Sequence, residues 1–273
     1  MKFSTKFNAL VLTLAVLVFG CKEDKNNDPA PAPANVEAAM PECLLLQDST
    51  TNGWVNIYKY NAKGQVTHIT RKRPGTYPYF ETQEYDAAGK LLRNNFHLND
   101  SVIYAYNQYQ YNAAGLISSS TYFRWEVNYG PLIEDRRQTF TYAANGLLAA
   151  RNFFVAGETT NPYLKYEYTH RPDGVIEERS YMFIQVSNKF RLKSILEHRY
   201  DNQLNPFAAL SNAIDMPIFT HHNVTSVRTY DLNHTSYAEN LVSYQYNAKG
   251  FPVTATFFDG PKQVHTYFTY SCR

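Results

Sequence analysis

Polar and apolar positions alternate along most of the chain. The pattern is plain in Tyr58-Lys-Tyr60, Tyr109-Gln-Tyr111, Tyr166-Glu-Tyr168 and Tyr244-Gln-Tyr246. A period of two, with β-branched and aromatic enrichment, predicts strands. Apolar residues at spacings of three and four, which would mark helices, are not what these segments show.

The alternation is punctuated by a recurring phrase. "YKYNAKGQV" from Tyr58 returns as "QEYDAAGKL" from Gln83, "YQYNAAGLI" from Tyr109 and "FTYAANGLL" from Phe140. "YEYTHRPDGVI" from Tyr166 carries two extra residues, "HRYDNQLNP" from His198 is degenerate, and "YQYNAKGFPV" from Tyr244 closes the series. The key tyrosines at 60, 85, 111, 142 and 168 lie 25 to 31 residues apart. Asn or Asp after the tyrosine can bond to backbone two residues on, which suits the first position of a type I turn. Gly64, Gly89, Gly115, Gly146, Gly174 and Gly250 then take the left-handed conformation that closes a hairpin through a bulge. Each copy therefore predicts one hairpin, and the phrase recurs because the unit recurs.

Between the copies lie turns of varied length, among them Arg73-Pro74-Gly75, Tyr129-Gly130-Pro131, Ala156-Gly157 and Asp259-Gly260-Pro261. One end of the sheet is thus expected to be regular and the other irregular. The fold class expected is all-β: an antiparallel meander of about 15 or 16 strands, as a rolled sheet or open barrel. "NPFAALSNAIDMPIF" interrupts the rhythm, and one short helical turn is expected there.

The first residues read differently. Lys2 and Lys6 precede an apolar run from Ala9 to Phe19 that is short for a membrane span. The run ends at Gly20-Cys21, which resembles the bacterial lipobox, and the resemblance implies lipidation of Cys21. "KEDKNNDPAPAPA" offers little to bury and predicts a flexible tether. Its Lys-Glu-Asp start resembles the signal that sends Bacteroidetes lipoproteins to the cell surface. The organisation expected is a lipoprotein signal peptide over 1–20, a lipidated cysteine and tether over 21–42, and a β domain over 43–273. Loss of the leader removes Lys2 and Lys6 and no acid, so 26 basic against 24 acidic residues become 24 against 24. That balance argues against nucleic acid as a partner.

The Tyr-Asn/Asp-x-x-Gly hairpins resemble YD repeats of the RHS type. Together with the leader and "YDNQLNPF", they resemble uncharacterised Bacteroidetes surface lipoproteins. Large RHS proteins use many such repeats to build a shell around a toxin, and the seven copies here are too few to enclose a folded domain. The resemblance implies a repeated-hairpin fold and an outer-membrane location. Tyr142 and Tyr200 head copies that depart from the pattern.

Sites of chemistry are sparse. With Cys21 lipidated, Cys43 and Cys272 remain on the first and last strands. Either they form a disulfide, which requires the sheet ends to meet, or they are free thiols on an open sheet. Glu134-Asp135 and Glu177-Glu178 are adjacent on strands and should diverge to opposite faces, so neither pair makes a catalytic dyad. His221-His222 with His198 or His234 lacks metal-ligand spacing, and no metal or other cofactor is expected. The 23 tyrosines and 17 phenylalanines read first as structure. If a ligand surface exists, the variable turns with Trp54, Trp125, Tyr129 and Tyr163 would carry it. The expected function is non-catalytic: binding or scaffolding at the outer membrane, held there by the lipid, with a glycan or a surface protein as partner. An envelope polysaccharide hydrolase and an RHS-like toxin accessory are the alternatives.

Overall fold

The computed structural model describes residues 42–99, 102–126, 130–207 and 222–272. The leader, Cys21, most of the tether, Tyr129, His221 and most of the segment expected to hold a helical turn lie outside the described residues. Within them the chain is almost wholly strand. The first group is β1 (Cys43–Thr50), β2 (Val55–Tyr60), β3 (Val66–Lys72), β4 (Tyr79–Tyr85), β5 (Leu91–Asn99) and β6 (Val102–Tyr111). Next come β7 (Ile117–Trp125), β8 (Leu132–Tyr142), β9 (Leu148–Val155), β10 (Leu164–His170), β11 (Ile176–Ile184) and β12 (Lys189–Leu204). The last are β13 (His222–Tyr230), β14 (Tyr237–Leu241), β15 (Ser243–Tyr246), β16 (Pro252–Asp259) and β17 (Lys262–Cys272).

Consecutive strands pair antiparallel from β1 through to β14 and from β15 to β17. β17 then pairs with β1, which turns the meander into a nearly closed barrel-shaped sheet. The expected count of 15 or 16 becomes 17 because one long strand is interrupted. Val242 alone separates β14 from β15, and its N–H donates to the Thr225 carbonyl at 2.9 Å. There the strand changes partner from β13 to β16.

Closure is covalent as well as hydrogen-bonded. Cys43 lies opposite Cys272 in the β1–β17 ladder, and the two are joined by a disulfide across a sequence separation of 229.

The repeat hairpins share one turn. In the six copies that hold a glycine, the residue after the strand donates its N–H to the residue beyond the glycine, as Asn61 does to Gln65 (3.0 Å) and Asn112 to Leu116 (2.9 Å). The glycine N–H bonds back to that same first residue, and in all of these but the β10–β11 hairpin a register shift at the tyrosine marks the bulge. The His198 copy lacks the glycine and, against expectation, makes no such turn, since β12 runs on through it to Leu204. The turn glycines have φ of +76 to +84°, where a Cβ is unwelcome.

One reading of the repeat is corrected. "YEYTHRPDGVI" holds no two extra residues in its turn: Arg171 donates to Val175 and Gly174 to Arg171, as in the other copies. His170, not Tyr168, stands where the tyrosine stands elsewhere.

That position has a specific task. The Tyr85 hydroxyl donates to the Val66 carbonyl, Tyr111 to Leu91, Tyr142 to Ile117 and Tyr270 to Pro252, at 2.6–2.9 Å. The acceptor is each time the first residue of the return strand one hairpin back. His170 Nε2 makes the same contact with Leu148 at 2.8 Å. The repeat tyrosines therefore stitch neighbouring hairpins together at the regular end.

The strand registers sort side chains onto two faces. Tyr58, Ile69, Glu81, Phe96 and Ala105 fall on one, and Asn94, Asn107, Tyr122 and Arg136 continue it. This face is concave and holds the core. One apolar cluster joins Leu45, Tyr58, Val66, Ile69, Ala255 and Phe268; another joins Phe140, Leu148, Tyr168 and Ile176. The other face carries Lys59, Glu84, Arg93, Gln108 and Arg137.

Candidate functional site

Toward the end of the barrel that carries the variable turns, the inner face opens into a basin of about 510 Å³. It is lined by Arg71, Arg73, Tyr79, Glu81, Phe96, Tyr104, Asn107, Tyr122 and Arg136. Six successive strands, β3 to β8, contribute to it. Alternation alone places Arg71, Glu81, Phe96, Asn107, Tyr122 and Arg136 on one side, since each register pair faces the same way. Tyr104 is the exception. It neighbours the inward Ala105 and should point outward, but the β5–β6 register slips between Phe96 and His97. The extra residue of that bulge turns its ring inward, 6.4 Å from Phe96 and 6.2 Å from Trp125.

Charge in the basin is unevenly matched. Glu81, only 3% exposed, is its one acid. Arg71 Nε is paired with Glu81 Oε1, and Asn94 Nδ2 donates to Glu81 Oε2 at 3.0 Å. Burial works against the Arg71 charge, and Glu81 more than offsets it, so the guanidinium is held ionised. Arg73 and Arg136 have no acidic partner among the described residues. Arg73 instead lies over Trp54 at 4.4 Å and Tyr79 at 5.3 Å, donating to the Tyr79 hydroxyl at 2.8 Å. Arg136 lies over Tyr122 at 4.6 Å. Burial raises the Tyr104 and Tyr122 hydroxyl pKa values, so both remain neutral donors. Asn107 is 2% exposed, and its Oδ1 has no hydrogen-bond partner among the described residues. The basin thus offers aromatic faces and two guanidinium groups without an acidic partner among the described residues.

The residues singled out from sequence meet this site only at its rim. Trp54 reaches it through Arg73, and Trp125 through Tyr104. Tyr163 lies elsewhere, edge-on to Phe153 at 6.3 Å. The arginines, Glu81 and Tyr104 carry no sequence signal, because only the curvature of six strands brings them together.

Two other groupings hold titratable side chains. On the inner face, Glu178 Oε2 lies 3.9 Å from His198 Nε2, near Tyr168, Tyr200 and Arg151. Burial pushes the Glu178 carboxyl up and the His198 imidazole down. Glu177, its sequence neighbour, bonds Arg179 instead, at 2.7 Å. On that opposite face, Glu177, Glu197 and His234 come within ligand distance of one another. Both acids are engaged there, Glu197 by Arg171 Nη1 (2.6 Å) and the Tyr230 hydroxyl (2.8 Å). Arginine already supplies the positive charge that a cation would bring. Asp135 of the other acidic pair is bonded to Arg124 at 2.6 Å.

No protein-family model and no curated protein matches the chain. Among solved structures it is similar to a porin-like protein from Bacteroides uniformis, at 12% identity and a TM-score of 0.56. That similarity covers 85% of this chain and 97% of the other. A porin-like protein from Bacteroides vulgatus is similar at 9% identity and a TM-score of 0.37, over 84% and 98% of the two chains. A chain of a TcdB2–TccC3 complex is similar at 11% identity and a TM-score of 0.31, over 80% of this chain and 12% of that one. The first of these shows a shared fold.

Proposed function

We propose that this protein is a lipid-tethered envelope protein that binds a glycan in the basin of its barrel without transforming it. The observation that carries the reading is the basin's lining. Flat rings of Tyr79, Phe96, Tyr104 and Tyr122 stand beside polar groups able to bond hydroxyls, and about 510 Å³ lies within the usual range for ligand sites. Glycoside hydrolysis ordinarily needs two carboxyl groups flanking the bond. The basin's single acid is held by Arg71 and Asn94, which supports binding over turnover.

An envelope location rests on three features. The leader resembles that of a lipoprotein, disulfides such as Cys43–Cys272 persist outside the reducing cytosol, and the fold is shared with a porin-like Bacteroides protein. The outward positions of the strands argue for tethering rather than insertion. Transmembrane barrels present an apolar band to lipid, whereas Lys59, Glu84, Gln108 and Gln110 stand on this face and are exposed.

The test is a binding and product screen of the whole chain against polysaccharides of varied linkage. Saturable binding with no released oligosaccharide is expected. Product release would convert the reading to an enzyme, and no binding to any polysaccharide would remove it. Labelling with a radioactive fatty acid, abolished by Cys21→Ala, tests the tether.

A further inference from the structure

The charge of the basin narrows the ligand, an inference that rests on the glycan reading above. We infer that the basin takes an acidic polysaccharide, one whose sugar rings bear carboxylates. Three arginines and one glutamate line it, and the glutamate is committed to Arg71. Arg73 and Arg136, both solvent-exposed, are left as two positive groups at one concave surface, which attracts a ligand of opposite charge.

The arginines are also pre-oriented. Arg73 contacts the rings of Trp54 and Tyr79, and Arg136 that of Tyr122. Contacts of this kind restrict a guanidinium. Arg136 keeps its N–H groups for the two-pronged bond a carboxylate accepts, and Arg73 keeps those not given to the Tyr79 hydroxyl.

Their spacing speaks to ligand length. Arg73 follows β3 and Arg136 lies on β8, so five strand-to-strand steps separate them. At about 4.8 Å per step, that is up to about 24 Å measured along the sheet. The curvature of the sheet brings both to one basin, where an oligosaccharide with carboxylates on separate residues can meet both. Between them the rings of Phe96, Tyr104 and Tyr122 offer faces for the intervening sugars.

The experiment uses the full chain with three polyuronates of different linkage, each beside its carboxyl-reduced form, and with dextran sulfate. At least one polyuronate should bind about ten-fold or more tightly than its reduced partner. Arg73→Gln and Arg136→Gln should each weaken that binding by a similar factor. Arg93→Gln, on the opposite face over Tyr106, should leave it unchanged. Thermal unfolding of each variant checks that the barrel is intact. Equal binding of a polyuronate and its reduced form, unmoved by either arginine variant, would overturn the acidic ligand while leaving the glycan reading. Tighter binding of dextran sulfate, weakened equally by Arg93→Gln, would mean general polyanion attraction and also overturn it. Failure to bind any polymer would remove both.

Discussion

At the scale of single residues, the recurring phrase divides its labour between a glycine and a hydroxyl. Gly174 has φ +79°, and a Cβ there would meet nothing within 4 Å. Gly174→Ala should therefore cost only the left-handed backbone penalty, about 1–2 kcal/mol, while Gly174→Asn should cost less because Asn visits that region. At Gly89 a Cβ would come 2.8 Å from Gln65 Nε2, so Gly89→Ala should cost more and disturb the Gln65 bond to the Gly89 carbonyl. Urea unfolding of the three variants checks the order. The tyrosines permit an internal control. Tyr85→Phe strips the donor from the Val66 carbonyl and should cost about 1–3 kcal/mol. The Tyr200 hydroxyl is buried with no hydrogen-bond partner among the described residues, so Tyr200→Phe should be neutral or stabilising in the same assay. Burial drives the Tyr111 and Tyr142 hydroxyls up to about 12, which keeps these stitches protonated through the physiological range.

At the scale of the element, each hairpin needs an acceptor for the N–H just beyond its glycine, but not at a fixed place. Asn61, Asp86, Asn112 and Asn247 supply it from the first turn position. Ala143 and Arg171 cannot, and there Asn145 and Asp173 supply it from the residue before the glycine. Asn145→Ala should destabilise by about 0.5–1.5 kcal/mol. Adding Ala143→Asn to that variant should restore most of the loss, as read by thermal unfolding. The variable turns use other devices. The Glu158 carboxylate accepts from the N–H groups of Thr160, Asn161 and Thr159, which pushes its pKa down to about 2. A depressed carboxyl contributes order that is present above its ordinary value of 4.5 and lost as pH falls toward about 2. Amide shifts of Thr159 to Asn161 should report that transition, and Glu158→Gln should abolish it.

At the scale of the molecule, closure depends on one ladder and one bond. Opening the disulfide releases a loop spanning 229 residues, for which chain entropy alone suggests about 5 kcal/mol. Cys43→Ser with Cys272→Ser should lower stability by about 2–5 kcal/mol, measured by urea unfolding, with hydrogen exchange rising first in β1 and β17. The inner face also sets a pH profile. Burial raises the Asp48 and Glu178 carboxyls, so the folded state holds protons that the unfolded chain has lost, and stability falls as pH rises through that range. His198 is lowered, so the folded state resists protonation, and stability falls instead as pH drops below 6.5. Glu178→Gln should flatten the first slope and leave the second, in melting curves taken from pH 4 to 8.

Local chemistry by itself determined the hairpins. Asn or Asp, a left-handed glycine and period-two alternation act over five to nine residues, and no distant contact is needed to specify such a turn. The same locality explains where the reading slipped. "YEYTHRPDGVI" contains two tyrosines and a histidine, and only the strand register shows that His170 takes the stitching position. The sequence leaves closure open between a disulfide and free thiols, because closure depends on how far sixteen pairings curl, a sum of small twists that no segment encodes alone. The basin lies further still from the sequence. Arg73, Glu81, Tyr104, Asn107 and Arg136 come from turns and strands with no shared motif, and one of them faces inward only through a bulge. Their meeting is a property of the curved sheet, and so tertiary structure alone decided where this protein has its basin.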